Sequence, residues 1–428
     1  MIAKTTVNNL IILLINFITS ILAARVLGSE GRGELALILL YPQIIATMGL
    51  LGLDRSLAIT SGNSRLNSPI KAIAILVLFF IFPIMWVSYF AIISNVSDAR
   101  LVELSLIYIL YTPAVLVFML SGSVFNGLGM FFEYNMSRLS FYGSYLMLII
   151  VLLMFDVGDL EVFVYSSLLS VYIAMAVSLI FMLIARRHGK INEKVWKLSY
   201  TIEDIRVIFK KALLFIVPGV LMVASGRIDQ VIVSNYLDLK FLGLFVVYMA
   251  YTQLIAPFSN AINIKIFHNG ITGIGKNITI FVRMSVFLYA NVSVFLILLA
   301  PFFISILYGS SYLEYIDSAR LLVLSAFFMA CSKIFSEYMM GRSMANQNLV
   351  SSVLFMSSLV FFSYFLIPTM SITGMAISMI GASAVQFTFL VIKLHAVLDV
   401  SINNLLFVNR RDLIWTTLSL KKIYKQKI

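Results

Sequence analysis

Charged side chains are scarce in this sequence, and those inside long apolar blocks are where chemistry could reside. Arg227 and Asp229 lie in Gly226-Arg227-Ile228-Asp229-Gln230, deep within one such block. Two residues apart on a helix, they do not face each other, so each needs a partner or water elsewhere. Lys333 and Glu337 stand four apart in another block and can pair on one helix face. Asp54, Arg55, Arg25 and Lys265 lie nearer the ends of their blocks, where long side chains can also snorkel to the interface. Placing Arg, Lys or Asp at the centre of a membrane helix costs roughly 2.5–3.5 kcal/mol, so such residues usually face a cavity or a partner. Arg25, Arg55, Arg227, Lys265 and Lys333 outnumber Asp54, Asp229 and Glu337. A cavity with that excess of cations favours an anion such as a phosphate group. Asn8, Asn9, Asn16, Asn126, Asn235, Asn260 and Asn263 lie in or near the same blocks. Amide-rich walls suit a sugar, although helix–helix hydrogen bonding is the commoner use of such residues.

Enzyme constellations do not emerge. His188, His268 and His395 are far apart, and no zinc spacing, phosphate-cradling glycine loop or nucleophile elbow is present. Cys331 is the single cysteine, which excludes an internal disulfide and a thiolate metal cage. No catalytic residue and no metal or organic cofactor is assigned, and no loop is long enough to form a catalytic domain.

Composition explains why these charges matter. The 428 residues are 61% hydrophobic and 12% charged, with a mean hydropathy of +1.01. A soluble domain carries about 45–50% apolar and 25% charged residues. Each bilayer crossing needs roughly 20 apolar residues. Twelve blocks of that kind can be marked: Val7–Gly28, Leu35–Thr60, Ala72–Ser94, Leu104–Leu128, Leu139–Phe155, Val162–Ala185, Ala212–Tyr236, Phe241–Phe267, Ile280–Tyr308, Ala319–Met340, Val350–Ile367 and Ile372–Ala396. The expected architecture is an all-α membrane protein of about twelve transmembrane helices in two six-helix bundles. Val7–Gly28 is span-length and reads as an uncleaved first helix.

Loop charge orients these spans. Connectors after even-numbered blocks carry Arg65, Lys71, Arg138, the basic stretch Arg186–Lys211, Lys276 and Arg342. Connectors after odd-numbered blocks carry Glu30, Asp98, Glu103, Asp156, Asp159, Glu161, Glu314 and Asp317, with few bases. The positive-inside rule puts the even loops and both termini in the cytoplasm. The net charge of +12 is thus a membrane-topology signal rather than a nucleic-acid one.

The domain reading is an N-terminal bundle at 1–185, a basic linker at 186–211, a C-terminal bundle at 212–396 and a basic cytoplasmic tail at 397–428. Apolar Val195, Trp196, Leu198, Ile202, Ile205 and Ile208 interleave with bases in the linker, which predicts amphipathic helix on the membrane surface. The halves also match at an offset of 210 residues. Leu27 meets Leu237, Gly33 meets Gly243, Tyr41 meets Tyr251, Gln43 meets Gln253 and Ala46 meets Ala256. An even number of spans per half gives parallel repeats related by an axis along the membrane normal.

Several segments resemble the polysaccharide-flippase (Wzx-type, O-antigen) family of the multidrug/oligosaccharidyl-lipid/polysaccharide exporter superfamily. They are Ala23–Glu34, Gly226-Arg227-Ile228-Asp229 followed by Leu242-Gly243-Leu244-Phe245, and Ala300-Pro301 through Leu307-Tyr308-Gly309 with Tyr312. The resemblance implies two MATE-like bundles around a cavity that opens alternately to either side. It implies an undecaprenyl-diphosphate-linked oligosaccharide as substrate, moved from the cytoplasmic to the periplasmic leaflet of a bacterial inner membrane. It also implies coupling to a proton or sodium gradient, with polysaccharide polymerase and chain-length proteins as further partners. Arg227 and Asp229 are the first residues to which it assigns substrate contact. A multidrug exporter of the same superfamily is the main competing reading. From another class, a membrane-bound glycan polymerase or ligase competes, and the short periplasmic loops argue against it.

Overall fold

The computed structural model describes residues 2–62, 69–189, 191, 198–257, 278–342 and 344–408. Its helices are α1 (Ile2–Met48), α2 (Leu53–Gly62), α3 (Pro69–Asn95), α4 (Ala99–Tyr108), α5 (Tyr111–Gly127), α6 (Phe131–Leu153) and α7 (Leu160–Arg187). They continue as α8 (Leu198–Ala212), α9 (Ile216–Ser225), α10 (Ile228–Tyr236), α11 (Leu239–Thr252), α12 (Ile278–Tyr308), α13 (Ile316–Gly341), α14 (Ala345–Leu398) and α15 (Ile402–Leu406).

Among the described residues, eight helical segments are long and apolar enough to cross a membrane. Two of them are too long for one crossing. At 47 residues, α1 would extend about 70 Å against a bilayer core of about 30 Å. It breaks at Gly28, whose φ of 67° and ψ of −173° fall in a region that only glycine enters readily. The 54-residue α14 breaks likewise at Ser371, with φ 50° and ψ −130°. Both interruptions coincide with a boundary between expected spans. Dividing α1 and α14, and adding the α9–α10 segment and α11, gives about twelve crossings among the described residues. The chain is therefore an all-helical, multi-pass membrane protein.

The outer surface fits that reading. On α3, Leu78, Phe79, Phe82, Trp86 and Phe90 are exposed, Phe82 at 74%. The opposite face of the same helix buries Ala72, Ile73, Leu76, Ile84, Ser88 and Ile92. An apolar belt of this size is stable only against lipid.

The chain divides into two compact units, Met1–Val247 and Tyr248–Ile428. In the first, α8 carries part of the amphipathic pattern expected of the linker, although Ile202 is exposed and Val195 and Trp196 lie outside the described residues. It buries Asp204, Ile208 and Ala212 and exposes Glu203, Arg206 and Lys210. The buried stripe packs on α2 and α3. Ser56 Oγ donates to the Ile208 carbonyl at 2.6 Å, and Phe80 stacks on Phe209 with centroids 5.9 Å apart. A bend of 62° then turns Ile202–Ala212 into Ile216–Ser225.

The same unit contains a reciprocal glycine contact. A β-carbon at Gly33 would collide with the Leu239 carbonyl oxygen, and one at Gly243 with the Ser29 carbonyl oxygen. All four residues correspond at the offset of 210 that relates the halves of the sequence. The two helix starts cross so closely that each needs the other's glycine.

In the second unit, α13 packs along α14, and hydroxyl groups join them. Ser318 Oγ lies 2.9 Å from Thr373 Oγ1, and Ser325 Oγ donates to the Met379 carbonyl at 3.1 Å. Small hydroxylated residues let apolar helices approach and supply hydrogen bonds where lipid offers none. Tyr248 and Tyr251 donate to the carbonyls of Tyr312 and Leu296, at 2.8 and 2.7 Å.

Candidate functional site

Among the described residues, the first unit includes two cavities. The larger, of about 490 Å³, is lined by Asn16, Gln43, Thr47, Tyr111, Tyr142, Tyr145, Ser167 and Arg227, with Phe118, Met119 and Met222 among its apolar walls. The smaller, of about 330 Å³, is lined by Asp54, Arg55, Asn126, Tyr134, Ser137 and Arg138. The two share Phe118, Met119 and Tyr142, so they adjoin across those side chains. Both volumes fall within the roughly 300–1,000 Å³ typical of small-molecule sites.

Arg227 reaches the larger cavity because the seventh span is broken. Helix α9 ends at Ser225, and Arg227 precedes the first turn of α10. Its Nη1 donates to Gln230 Oε1 at 3.2 Å, and the residue is otherwise exposed. Inside a span such a cation is tolerable where it meets a water-filled cavity. Asp229 has a different place. It is buried, its carboxylate accepts the Gln230 amide at 2.8 Å, and it lines neither cavity. An acid in the first turn of a helix complements the dipole there.

Helices α1, α4, α5 and α7 fix the polar wall. Gln43 Nε2 donates to Tyr108 Oη at 3.2 Å, and Tyr108 Oη lies 2.9 Å from Ser167 Oγ. Tyr108 is fully buried. The Tyr111 ring stacks on it at 5.2 Å with an interplanar angle of 17°. The hydroxyl chain and the stack together hold Gln43, Ser167 and Tyr111 towards the larger cavity.

In the smaller cavity, Arg138 Nη1 donates to Asn9 Oδ1 at 2.8 Å. Its guanidinium also lies 5.5 Å from the Tyr134 ring centroid, within the range of a cation–π contact. Asn8 Nδ2 approaches Asn135 Oδ1 at 3.4 Å beside it. Arg55 follows Asp54 in the first turn of α2, and its Nη2 lies 3.1 Å from Met222 Sδ. Two guanidiniums thus face this space against one carboxylate.

Of the charges singled out in the sequence, Arg55, Asp54 and Arg227 line these two cavities. Arg25 is exposed just before the Gly28 break, outside both linings. Lys333 and Glu337 are on α13 in the second unit, where Lys333 is exposed and Glu337 half-buried. Lys265, Asn260 and Asn263 lie outside the described residues. Asn16 and Asn126 line cavities, whereas Asn235 donates to the Val231 carbonyl of its own helix. Arg138 was expected in a loop before a span starting at Leu139. Helix α6 begins at Phe131, which places Arg138 two turns inside it. The signal available was Arg138 itself, standing between two apolar stretches. Tyr111, Tyr142 and Tyr145 carried no such mark.

No protein-family model matches the chain, and no curated protein matches it in sequence. Solved structures match its fold. An inward-facing multidrug resistance MATE family transporter of the MOP superfamily aligns with TM-score 0.70 and 16% identity, over 91% of this chain and 96% of that one. The lipid II flippase MurJ, in an inward closed conformation, aligns with TM-score 0.68 and 12% identity, over 99% and 92%. A eukaryotic MATE transporter, AtDTX14, aligns with TM-score 0.58 and 14% identity, over 89% and 94%. The chain shares the fold of these proteins over nearly its full length.

Proposed function

We propose that this protein is a flippase for a lipid-linked glycan carried on a diphosphate, such as an undecaprenyl-diphosphate oligosaccharide. The observation that carries the reading is the pair of adjoining cavities faced by Arg55, Arg138 and Arg227 against Asp54. A guanidinium such as that of Arg55 or Arg138 binds phosphate oxygens with two parallel hydrogen bonds and gains strength where water is scarce. Tyrosines and amides beside them suit sugar rings and hydroxyls. The fold supports a transporter rather than an enzyme. In this reading the protein sits in a bacterial inner membrane with both termini cytoplasmic. Six spans at 1–185 and six at 212–396 alternate access, driven by a proton or sodium gradient. Glycan polymerase and chain-length proteins take up its product.

Drug export is the second reading, because MATE transporters share the fold. A cationic drug calls for an acidic cavity, and Asp54 is the one acid lining the two described here. Complementation of a flippase-null strain, read as surface glycan, separates the two. Wild-type protein restores glycan. Arg227→Ala abolishes it while the protein remains in the membrane at normal level. Normal glycan in that variant would remove Arg227 from the mechanism.

A further inference from the structure

The two cavities differ in kind, and the difference runs along the same helices. On α6, Tyr134 and Arg138 face the smaller cavity and Tyr145 the larger, with Tyr142 shared. Seven residues from Arg138 to Tyr145 correspond to a rise of about 10 Å. On α5 the order is mirrored, with Asn126 in the smaller cavity and Tyr111 in the larger. The smaller cavity therefore lies towards the turn joining α5 to α6, and the larger lies further along both helices. The alternation of charge along the other connectors puts that turn on the cytoplasmic side.

We infer that the site has a fixed polarity: the arginine cavity takes the diphosphate, and the tyrosine cavity takes the first sugars of the glycan. This rests on the flippase reading above. Arg55 on α2 and Arg138 on α6 line the same cavity and supply two planar donors, and Asn9 and the Tyr134 ring hold Arg138 in place. A diphosphate whose tail stays in the cytoplasmic leaflet starts at headgroup depth, which is the level of the α5–α6 turn. The glycan then extends into the span, where aromatic faces meet the apolar faces of sugar rings. Gln43 and Ser167, fixed through Tyr108, receive hydroxyls. Arg227 lies at this glycan end and donates to sugar oxygens. Its loss costs transport without costing diphosphate affinity.

The test uses the full chain in nanodiscs, with farnesyl diphosphate as a sugar-free probe and farnesol as its uncharged control. Arg138→Gln and Arg55→Gln should each weaken farnesyl diphosphate about tenfold or more, as loss of a charge-assisted bidentate contact does. Tyr145→Leu and Arg227→Gln should hold that affinity within about twofold and yet lose glycan export in the complemented strain. Arg138→Lys and Tyr145→Phe, checked for monodisperse elution, stand in for any variant that fails to fold. Diphosphate affinity that falls with Tyr145 or Arg227 and not with Arg138 would overturn the polarity. Wild-type protein that does not distinguish farnesyl diphosphate from farnesol would overturn the flippase reading itself, and the polarity with it.

Discussion

The two compact units use buried polarity for different ends. In the second unit, several buried polar groups close on one another or on the backbone. Ser325 meets Met379 and Ser383, Tyr251 meets Leu296, and the buried Arg283 donates to the Asn404 carbonyl at 2.7 Å. In the first unit, Arg55, Arg138, Arg227, Gln43 and Ser167 are turned to cavities. An arginine alone is therefore a poor marker of function in this protein. What decides is whether the side chain also lines a cavity, as Arg55, Arg138 and Arg227 do.

That contrast can be broken or sharpened by mutation. The largest effect is expected where the backbone leaves no room. Gly243→Ala should cost about 3 kcal/mol or more, because a side chain forced into packed structure must displace backbone. Gly143→Ala, whose added carbon meets nothing within 4 Å, should leave stability unchanged or raise it by up to about 1 kcal/mol, as alanine does in a helix interior. Thermal unfolding in detergent reads both, and equal melting of the two variants would remove the crossing as a constraint. Next comes Arg283→Met, which should cost about 1.5–3 kcal/mol, the range for a hydrogen bond to a charged group. Export per folded molecule should hold steady, opposite to the expectation for Arg227→Ala. Reduced export at full abundance would place Arg283 on the transport path and end the contrast. The smallest loss is expected for Ser325→Ala, about 1 kcal/mol with export intact. Unchanged stability would show that the α13–α14 hydroxyls contribute little beyond close approach.

Some of this was legible in the sequence for physical reasons. Gly28 marks a break because the expected loop needed a residue free to take its backbone angles, and the structure breaks there. The interleaved linker announced α8, since an amphipathic helix writes its two faces into the sequence. Helix α6 was harder. Glu133, Asn135 and Arg138 dilute its first two turns, so an apolar window starts late and turns a cavity arginine into a loop one. The tyrosine wall was illegible. Within helices that are apolar on all sides there is no moment to say which face meets lipid and which meets a cavity. Tyr111 and Tyr145 acquire their role from packing between helices. Asp229 teaches the reverse lesson, since its charge drew notice and the structure gives it the first turn of α10.

The glycine crossing has a meaning for descent as well as for stability. Halves matched at an offset of 210 are the mark of a duplicated ancestor, and duplicated segments ordinarily drift apart. At this crossing they cannot drift independently. The space at Gly33 is set by the Leu239 carbonyl, and that at Gly243 by the Ser29 carbonyl. A larger residue on either side must wait for the opposite strand of ancestry to make room. The two copies remain mutually bound at this crossing.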